Sequence, residues 1–284
     1  MKDMNEKYES ASREPDGRTK RRRYDSFRAL SYYTLGIKAQ EGRFQDLPFW
    51  AIFMSGGFMK KTYTGKTKDL YLLEDGKVCL KFKDDVTGKD GVFDPGENQV
   101  GLSIDGMGMA NLQVTDFFLD ALEADGIETH RIKTDLDQGS MLVQACQPFG
   151  QGLEVIFRHY ATGSFLRRYG LYAKDMMPLD NYVEFTLKDD ERQDPLITKE
   201  GLIALGILTA DEYDYLYEKT IEISNKITDI LKNKDIQLID IKLEFGKNQA
   251  GDILLMDELS VGNMRVRVDG QSLEPLKVSQ LILA

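Results

Sequence analysis

The stretch Ile239-Asp240-Ile241-Lys242-Leu243-Glu244-Phe245 alternates apolar and charged residues. Side chains of a β-strand alternate with a period of two. Ile239, Ile241, Leu243 and Phe245 therefore share one face, and Asp240, Lys242 and Glu244 share the other. An acid–base–acid row on a strand suggests a polar site. Asp257 and Glu258 end the next apolar run, and a tightly paired hairpin would bring Asp257 to the face of Glu244. Two carboxylates so placed could hold Mg2+, which takes oxygen ligands and keeps substrate phosphates in its shell. The same pattern also suits a solvated sheet face with cross-strand ion pairs.

A second set is Thr64-Gly65-Lys66-Thr67-Lys68, a glycine turn whose lysines could cover nucleotide phosphates. It is no Walker P-loop, because that motif needs glycine five residues before Gly65 and the chain has Lys60 there. A surface hairpin with lysines is the alternative. A third set is Arg158, Ser164, Arg167 and Arg168, where guanidinium forks could take a phosphate or carboxylate. His130 and His159 are the two histidines, and neither belongs to a nucleophile–base pattern or a zinc spacing. Cys79 and Cys146 form no CxxC pair and read as buried free thiols of a reducing compartment. The chemistry expected is therefore that of ATP, metal and positioning, without a covalent nucleophile.

These groups need elements to hold them. Thr62 to Leu73 reads as strand–turn–strand around Gly65, and Val78 to Phe82 as a further strand. Asp84 to Gly106, rich in Gly, Asp, Pro and Asn, reads as a long loop region. Val114, Phe117, Phe118, Ala121 and Leu122 make one helical stripe, ended by Gly126. Leu153 to Tyr160 and Val183 to Leu187 read as strands. Thr209 and Glu212 form a capping box opening a long helix with Leu216, Thr220, Ile223, Ile227, Ile230 and Leu231 on one side. Leu238 to Phe245 and Ile253 to Leu259 read as a hairpin. Without a regular βαβ repeat, the class expected is α+β.

The 284 residues carry 37 Lys/Arg against 47 Asp/Glu, a net charge of −10. Such a balance disfavours general nucleic-acid binding, since phosphates repel it. No apolar run reaches membrane-spanning length. Residues 1–58 differ from the rest, with 11 basic and 8 acidic residues, against 26 and 39 in residues 59–284. Their basic run, Arg18 and Lys20 to Arg23, reads as a solvated tail, with a localisation or nucleic-acid patch as the alternative. Ser55-Gly56-Gly57 stands just before Met59, as a ribosome-binding site read in frame would. The expectation is a natural start at Met59, with residues 1–58 a disordered extension or a gene-model artefact. Intact mass of the natively expressed protein tests it.

Several blocks, in order, resemble the SAICAR synthetase family. Gly65-Lys66-Thr67-Lys68 is similar to its nucleotide loop. Phe82-Lys83-Asp84-Asp85 with Gly88-Lys89-Asp90-Gly91 resembles its following segment, and Gly126-Ile127-Glu128-Thr129-His130 its GIxTH. Leu153 to Arg158 and Gly163 to Gly170, Lys188 to Glu191 with Asp194-Pro195, Asp240 to Gly246 and Asp257 to Ser260 are similar to further blocks. The resemblance runs from about Lys61 to Arg265.

It implies an α+β, two-lobed fold related to ATP-grasp nucleotide binders. A β-rich nucleotide lobe would span 59–150, and an α+β lobe with the metal and substrate site 151–284. The activity implied is a cytoplasmic, ATP-dependent ligase of purine biosynthesis. ATP phosphorylates the carboxylate of carboxyaminoimidazole ribonucleotide (CAIR), and the amine of L-aspartate displaces phosphate to give SAICAR, with Mg2+ as cofactor. By resemblance Gly65, Lys66, Lys68 and Lys242 would bind ATP, and Glu244 and Asp257 the metal. Arg158, Ser164, Lys188 and Arg265 would hold substrate, with Lys242 and Asp90 catalytic. The partners implied are small molecules, with neither nucleic acid nor membrane, and a homo-oligomer is compatible. Three departures stand out. Gly262 replaces an acidic residue of the family pattern, Met107 to Gln113 lacks the basic ends of the usual stretch, and the chain stops at Ala284, short of the helix expected to close the family's C-terminus. They leave open a paralogous carboxylate–amine ligase with another substrate. A non-catalytic nucleotide binder is the rival from a different class.

Overall fold

The computed structural model describes residues 60–284. The expectations for residues 1–58, including the start at Met59, lie outside the described residues. Strands β1 (Lys60–Thr64) and β2 (Lys68–Leu72) form an antiparallel hairpin, and β3 (Val78–Phe82) pairs with β2. The turn depends on Gly65: its N–H donates to the Lys68 carbonyl at 2.9 Å. A Cβ there would lie 2.7 Å from the same oxygen, so the turn closes only around glycine.

Residues 84–106, expected as a long loop, instead build a small antiparallel sheet of β4 (Asp85–Lys89), β5 (Val92–Phe93) and β6 (Val100–Ser103), in the order β5-β4-β6. Asp90 and Gly91 have φ of 52° and 78° and join β4 to β5 as a two-residue turn whose twist matches the strands. Gly88 and Gly101 let β4 and β6 touch, since a Cβ on Gly101 would lie 2.5 Å from the Gly88 backbone. The glycines here serve pairing, not a loop.

Helix α1 (Met107–Ala124) buries Val114, Phe118 and Leu122 as its stripe requires. Asp84 accepts from the Gly108 N–H at 2.8 Å, placing a carboxylate on the positive end of the helix. Gly126, at φ 80°, follows its end. Strands β7 (Arg131–Asp135) and β8 (Ser140–Val143) complete a five-stranded antiparallel sheet, order β1-β2-β3-β8-β7.

The second sheet is also antiparallel. It runs β12-β11-β10-β13-β14, with β9 and β15 pairing to β13. Its strands are β9 (Gln147–Pro148), β10 (Leu153–Tyr160), β11 (Pro178–Leu187), β12 (Leu196–Ile197), β13 (Ile236–Lys247), β14 (Ile253–Met256) and β15 (Met264–Val268). Between them lie α2 (Gly163–Tyr169), α3 (Lys199–Ala204) and α4 (Ala210–Lys232), and α5 (Pro275–Leu283) follows β15. The capping box at Thr209 and Glu212 is present. Helix α4 packs on β10, β11 and β13. Its Leu216, Ile223, Ile227 and Leu231 join Val155, Phe157, Val183, Phe185, Ile241, Leu243 and Phe245 in one core. Each such side chain contributes about 1.5–3 kcal/mol by leaving water. The class is α+β, as expected, and the described residues fall in one compact unit.

Candidate active site

Core packing uses the odd-numbered residues of β10, of β11 and of β13 from Ile241 onward, so the even-numbered ones there face the other way. Register sets them in rows: Thr186, Glu154, Glu244; then Glu184, Ile156, Lys242; then Tyr182, Arg158, Asp240, with Arg265 of β15 beside Asp240. This polar face is not solvated. Glu154, Arg158, Glu184, Asp240 and Glu244 are all buried. Buried charges persist only when paired, and the pairing divides them into two clusters.

The first cluster gathers lysines and carboxylates. Lys188 donates to both oxygens of Glu244, at 2.7 and 2.8 Å. Lys242 donates to Glu154 at 2.7 Å, and Thr186 to the other Glu154 oxygen at 2.9 Å. From the glycine turn, Lys68 reaches Asp257 at 2.7 Å and Glu258 at 3.5 Å, and the Thr67 hydroxyl donates to Glu258 at 2.9 Å. The second oxygen of Glu258 is buried with no partner. Burial pushes the Lys68 and Lys188 ammoniums down, but the facing carboxylates outweigh it and hold both above the ordinary lysine value. Burial raises the Glu244 carboxyl above its ordinary range; Lys188 opposes and Asp257 adds to the rise. Asp257 goes the other way: burial pushes it up, but Lys68 and Lys188 hold it well below.

Asp257 arrives by a route that strand parity does not give. Glu244 pairs with Met256, so a continued strand would set Asp257 opposite Leu243, on the core face. Asp257 instead adopts φ 72°, which turns its carboxylate towards Lys68. His130 lies alongside, buried, with a ring hydrogen bond to the Asp257 backbone. Burial pushes its pKa down to about 4, so the imidazole is neutral near pH 7.

The second cluster is a chain of alternating charge. Asp94 binds Arg265 (2.8 Å), Arg265 binds Asp240 (2.8 Å), and Asp240 binds Arg158 (2.5 Å). Arg158 then binds Glu184 (2.8 Å), which binds Arg168 (2.5 Å). Arg158 also donates to the Ser164 hydroxyl at 2.8 Å. Gly96 and Gly163 flank the Arg265 guanidinium so closely that a Cβ would lie 2.0 or 2.7 Å from Nη2. Arg167 is exposed at this end and contributes a positive charge near Asp94.

One arrangement thus joins an arginine–serine end suited to phosphate, a lysine–carboxylate end suited to polyphosphate and metal, and a glycine turn between β1 and β2. Residues 61–275 match the model of the SAICAR synthetase family. The chain belongs to the SAICAR synthetase family. The phosphoribosylaminoimidazole-succinocarboxamide synthase of Clostridium tetani is 54% identical over 226 residues, 79% of this chain and 100% of that protein. A SAICAR synthetase solved in complex with ADP superposes with TM-score 0.65 at 32% identity, covering 74% of this chain and 85% of its own. A second solved SAICAR synthetase gives 0.68 at 30% identity, covering 78% and 97%.

Against the residues expected from the family, Lys68, Lys188, Lys242, Glu244 and Asp257 meet in the first cluster, and Arg158, Ser164 and Arg265 in the second. Lys66 lies on the turn and pairs with the exposed Asp190 at 2.9 Å. Arg158 is 1% exposed with its guanidinium enclosed, so it braces Ser164 from behind while Arg265 reaches the surface. Asp90 is exposed at the tip of the β4–β5 hairpin, and among the described residues no hydrogen bond or ion pair ties it to either cluster. Glu154, Glu184 and Asp94 were not singled out by sequence. For the first two the signal was present: a carboxylate at the polar parity of a strand otherwise apolar. At the departure from the family pattern, Gly262 donates its N–H to Ser260 at 3.1 Å, and a Cβ there would lie 3.7 Å from Glu258. The departure at Met107 to Gln113 forms the first turns of α1, where Gly108 lies 2.8 Å, by its absent Cβ, from the Lys83 backbone.

Proposed function

We propose that this chain is the ligase that condenses L-aspartate with CAIR, using ATP, to give SAICAR, ADP and phosphate in purine biosynthesis. Membership of the SAICAR synthetase family supports the reaction. The observation that carries the site reading is the placement of both clusters on one buried face. Asp240 and Glu244 stand four residues apart on β13, about 13 Å along the strand at roughly 3.3 Å per residue. A ribonucleotide can lie across that span, its phosphate on Ser164, Arg167 and Arg265 and its carboxylate towards Lys188 and Lys242.

ATP enters from the glycine turn, where Gly65 brings the backbone close and Lys66 and Lys68 meet its phosphates. Lys242 sits between the two ligands and steadies the oxygens that change hands. Phosphoryl transfer makes an acyl phosphate, the aspartate amine attacks its carbonyl carbon, and phosphate leaves with the bonding electrons. Little covalent work falls to the protein. It aligns the reacting groups and screens their charge. Mg2+ fits the donor set: Glu244 and Asp257 supply hard oxygens, and no group of three potential ligands gathers among the described residues, which leaves coordination to phosphate and water. When bound, the metal neutralises charge on the transferring oxygens. No helix among the described residues is long and apolar enough to cross a membrane, and small soluble substrates suit a cytoplasmic setting.

The test is ADP release by the full-length protein with Mg·ATP, CAIR and L-aspartate, omitting each in turn. Release that needs all three, with a product heavier than CAIR by one aspartate less water, is the expected result. A folded, ATP-binding protein that turns over none of them would overturn the reading.

A further inference from the structure

A left-handed φ at a non-glycine residue persists only where the surroundings over-determine it. Asp257 is such a residue, at φ 72°, and its holder is a segment far away in sequence. Residues 128–130 lie alongside β14 as a parallel bridge, Thr129 opposite Leu255. The Leu255 N–H donates to the Glu128 carbonyl at 3.1 Å, and the His130 N–H to the Leu255 carbonyl at 2.9 Å. This segment is tied in turn to α1. The Thr129 hydroxyl donates to Glu123, and Arg131 binds Asp116 at 2.6 Å, Asp120 at 2.5 Å and Glu123 at 2.5 Å. The last link is the buried His130 ring. Its Nε2 has no partner, so Nδ1 carries the hydrogen bond to the Asp257 backbone.

We infer that His130 is a positioning residue: its Nδ1–H donates to the Asp257 carbonyl, holds that residue in its left-handed turn, and so aims the carboxylate at Lys68 and at the Mg·nucleotide. The inference rests on the reading of Asp257 as a metal ligand. It extends that reading to a group that is neither a metal ligand nor a substrate contact.

Asparagine places an amide N–H near the position of Nδ1, whereas glutamine reaches that of Nε2. The experiment compares His130→Asn, His130→Gln and His130→Phe with Asp257→Asn in the full-length protein, reading KM for Mg·ATP, KM for CAIR and melting temperature. Groups that orient metal ligands are worth about 10–100-fold in metal affinity or activity. His130→Gln and His130→Phe are therefore expected to raise the KM for Mg·ATP by roughly tenfold or more while the KM for CAIR stays within about twofold. His130→Asn is expected to recover most of the loss. Equal losses in His130→Asn and His130→Gln, or parallel rises in both KM values, would overturn the inference and leave a packing role. Should His130→Phe fail to fold, the Asn–Gln comparison decides. If Asp257→Asn leaves the Mg2+ and ATP dependence unchanged, the reading of Asp257 itself fails. If it abolishes that dependence while His130→Gln does not weaken it, the positioning role alone fails.

Discussion

Asp240 lies between two arginines in the alternating chain, its Oδ2 accepting from Arg158 at 2.5 Å and from Arg265 at 2.8 Å. Asp240→Asn keeps the shape and removes the charge. The chain then holds three cations against two anions, and Arg158 is only 1% exposed. Neutralising one partner of a buried pair costs about 3–5 kcal/mol, because the other charge stays behind. Arg265 retains some water, with its side chain 21% exposed, so the lower end, about 3 kcal/mol, is the expected loss. For a unit of this size each kcal/mol moves the melting temperature by about 2–4 °C, giving a drop of roughly 6–12 °C. The control is Asp190→Asn, which breaks the pair with Lys66 whose side chains are 34% and 57% exposed. Such pairs are worth about 0–1 kcal/mol. Calorimetry of both variants at low and high salt separates the cases. The Asp240→Asn deficit should persist in salt, and any Asp190→Asn deficit should fade. A melting temperature within about 2 °C of the parent for Asp240→Asn would refute the argument that paired charge holds this face together.

Gly96→Ala sets a Cβ 2.0 Å from Arg265 Nη2 and should raise the KM for CAIR by roughly tenfold as that guanidinium is displaced; an unchanged KM for CAIR in steady-state assays would count against Arg265 as a phosphate ligand. Burial pushes the Cys146 thiol up to about 11, so iodoacetamide labelling of the native protein at pH 8, followed by mass spectrometry, should be far slower than after denaturation; labelling at the denatured rate would contradict it. Burial lowers the His159 pKa in the folded state, whose ring Nε2 lies 2.9 Å from the Thr228 hydroxyl. The unfolded chain then takes the proton first, so stability present above about pH 6.5 declines as pH falls below it. Urea midpoints at pH 7.5 and 5 should differ less for His159→Gln than for the parent, with His130 contributing equally to both.

How much of this was legible in sequence depended on whether a signal was local. Periodicity placed β3 and β10 at their observed bounds, and the Thr209–Glu212 capping box marked the start of α4. Composition failed over residues 84–106, because Asp90-Gly91 and the facing pair Gly88 and Gly101 satisfy hairpin geometry with residues that also mark loops. Parity failed at Asp257 because a single left-handed residue reverses where a side chain points. The carboxylates that pin the buried arginines and lysines were harder still. Glu184 is 26 residues from Arg158, and Glu154 is 88 from Lys242, so their meeting belongs to strand register and no sequence window contains it. Lys188 and Arg265 came from family wording, not from periodicity.

The two clusters differ in their balance of charge, and that difference constrains how ligands bind. The arginine end pairs Arg158, Arg168 and Arg265 with Asp94, Asp240 and Glu184, and the exposed Arg167 adds a positive charge for a phosphate to meet. The lysine end sets Lys68, Lys188 and Lys242 against Glu154, Glu244, Asp257 and Glu258, an excess of one carboxylate. A polyphosphate approaching that end meets lysines already engaged and a net negative cluster. For Lys68 or Lys188 to turn to phosphate, Asp257 or Glu244 must lose its partner, and a buried carboxylate without a cation is costly. A divalent cation arriving with the nucleotide would remove the conflict, taking the released carboxylates while the lysines took the phosphates. Nucleotide and metal should therefore bind as one event. ADP affinity measured calorimetrically should collapse in chelator and return with Mg2+, whereas binding of the ribonucleotide, proposed to anchor at the arginine end, should be far less sensitive.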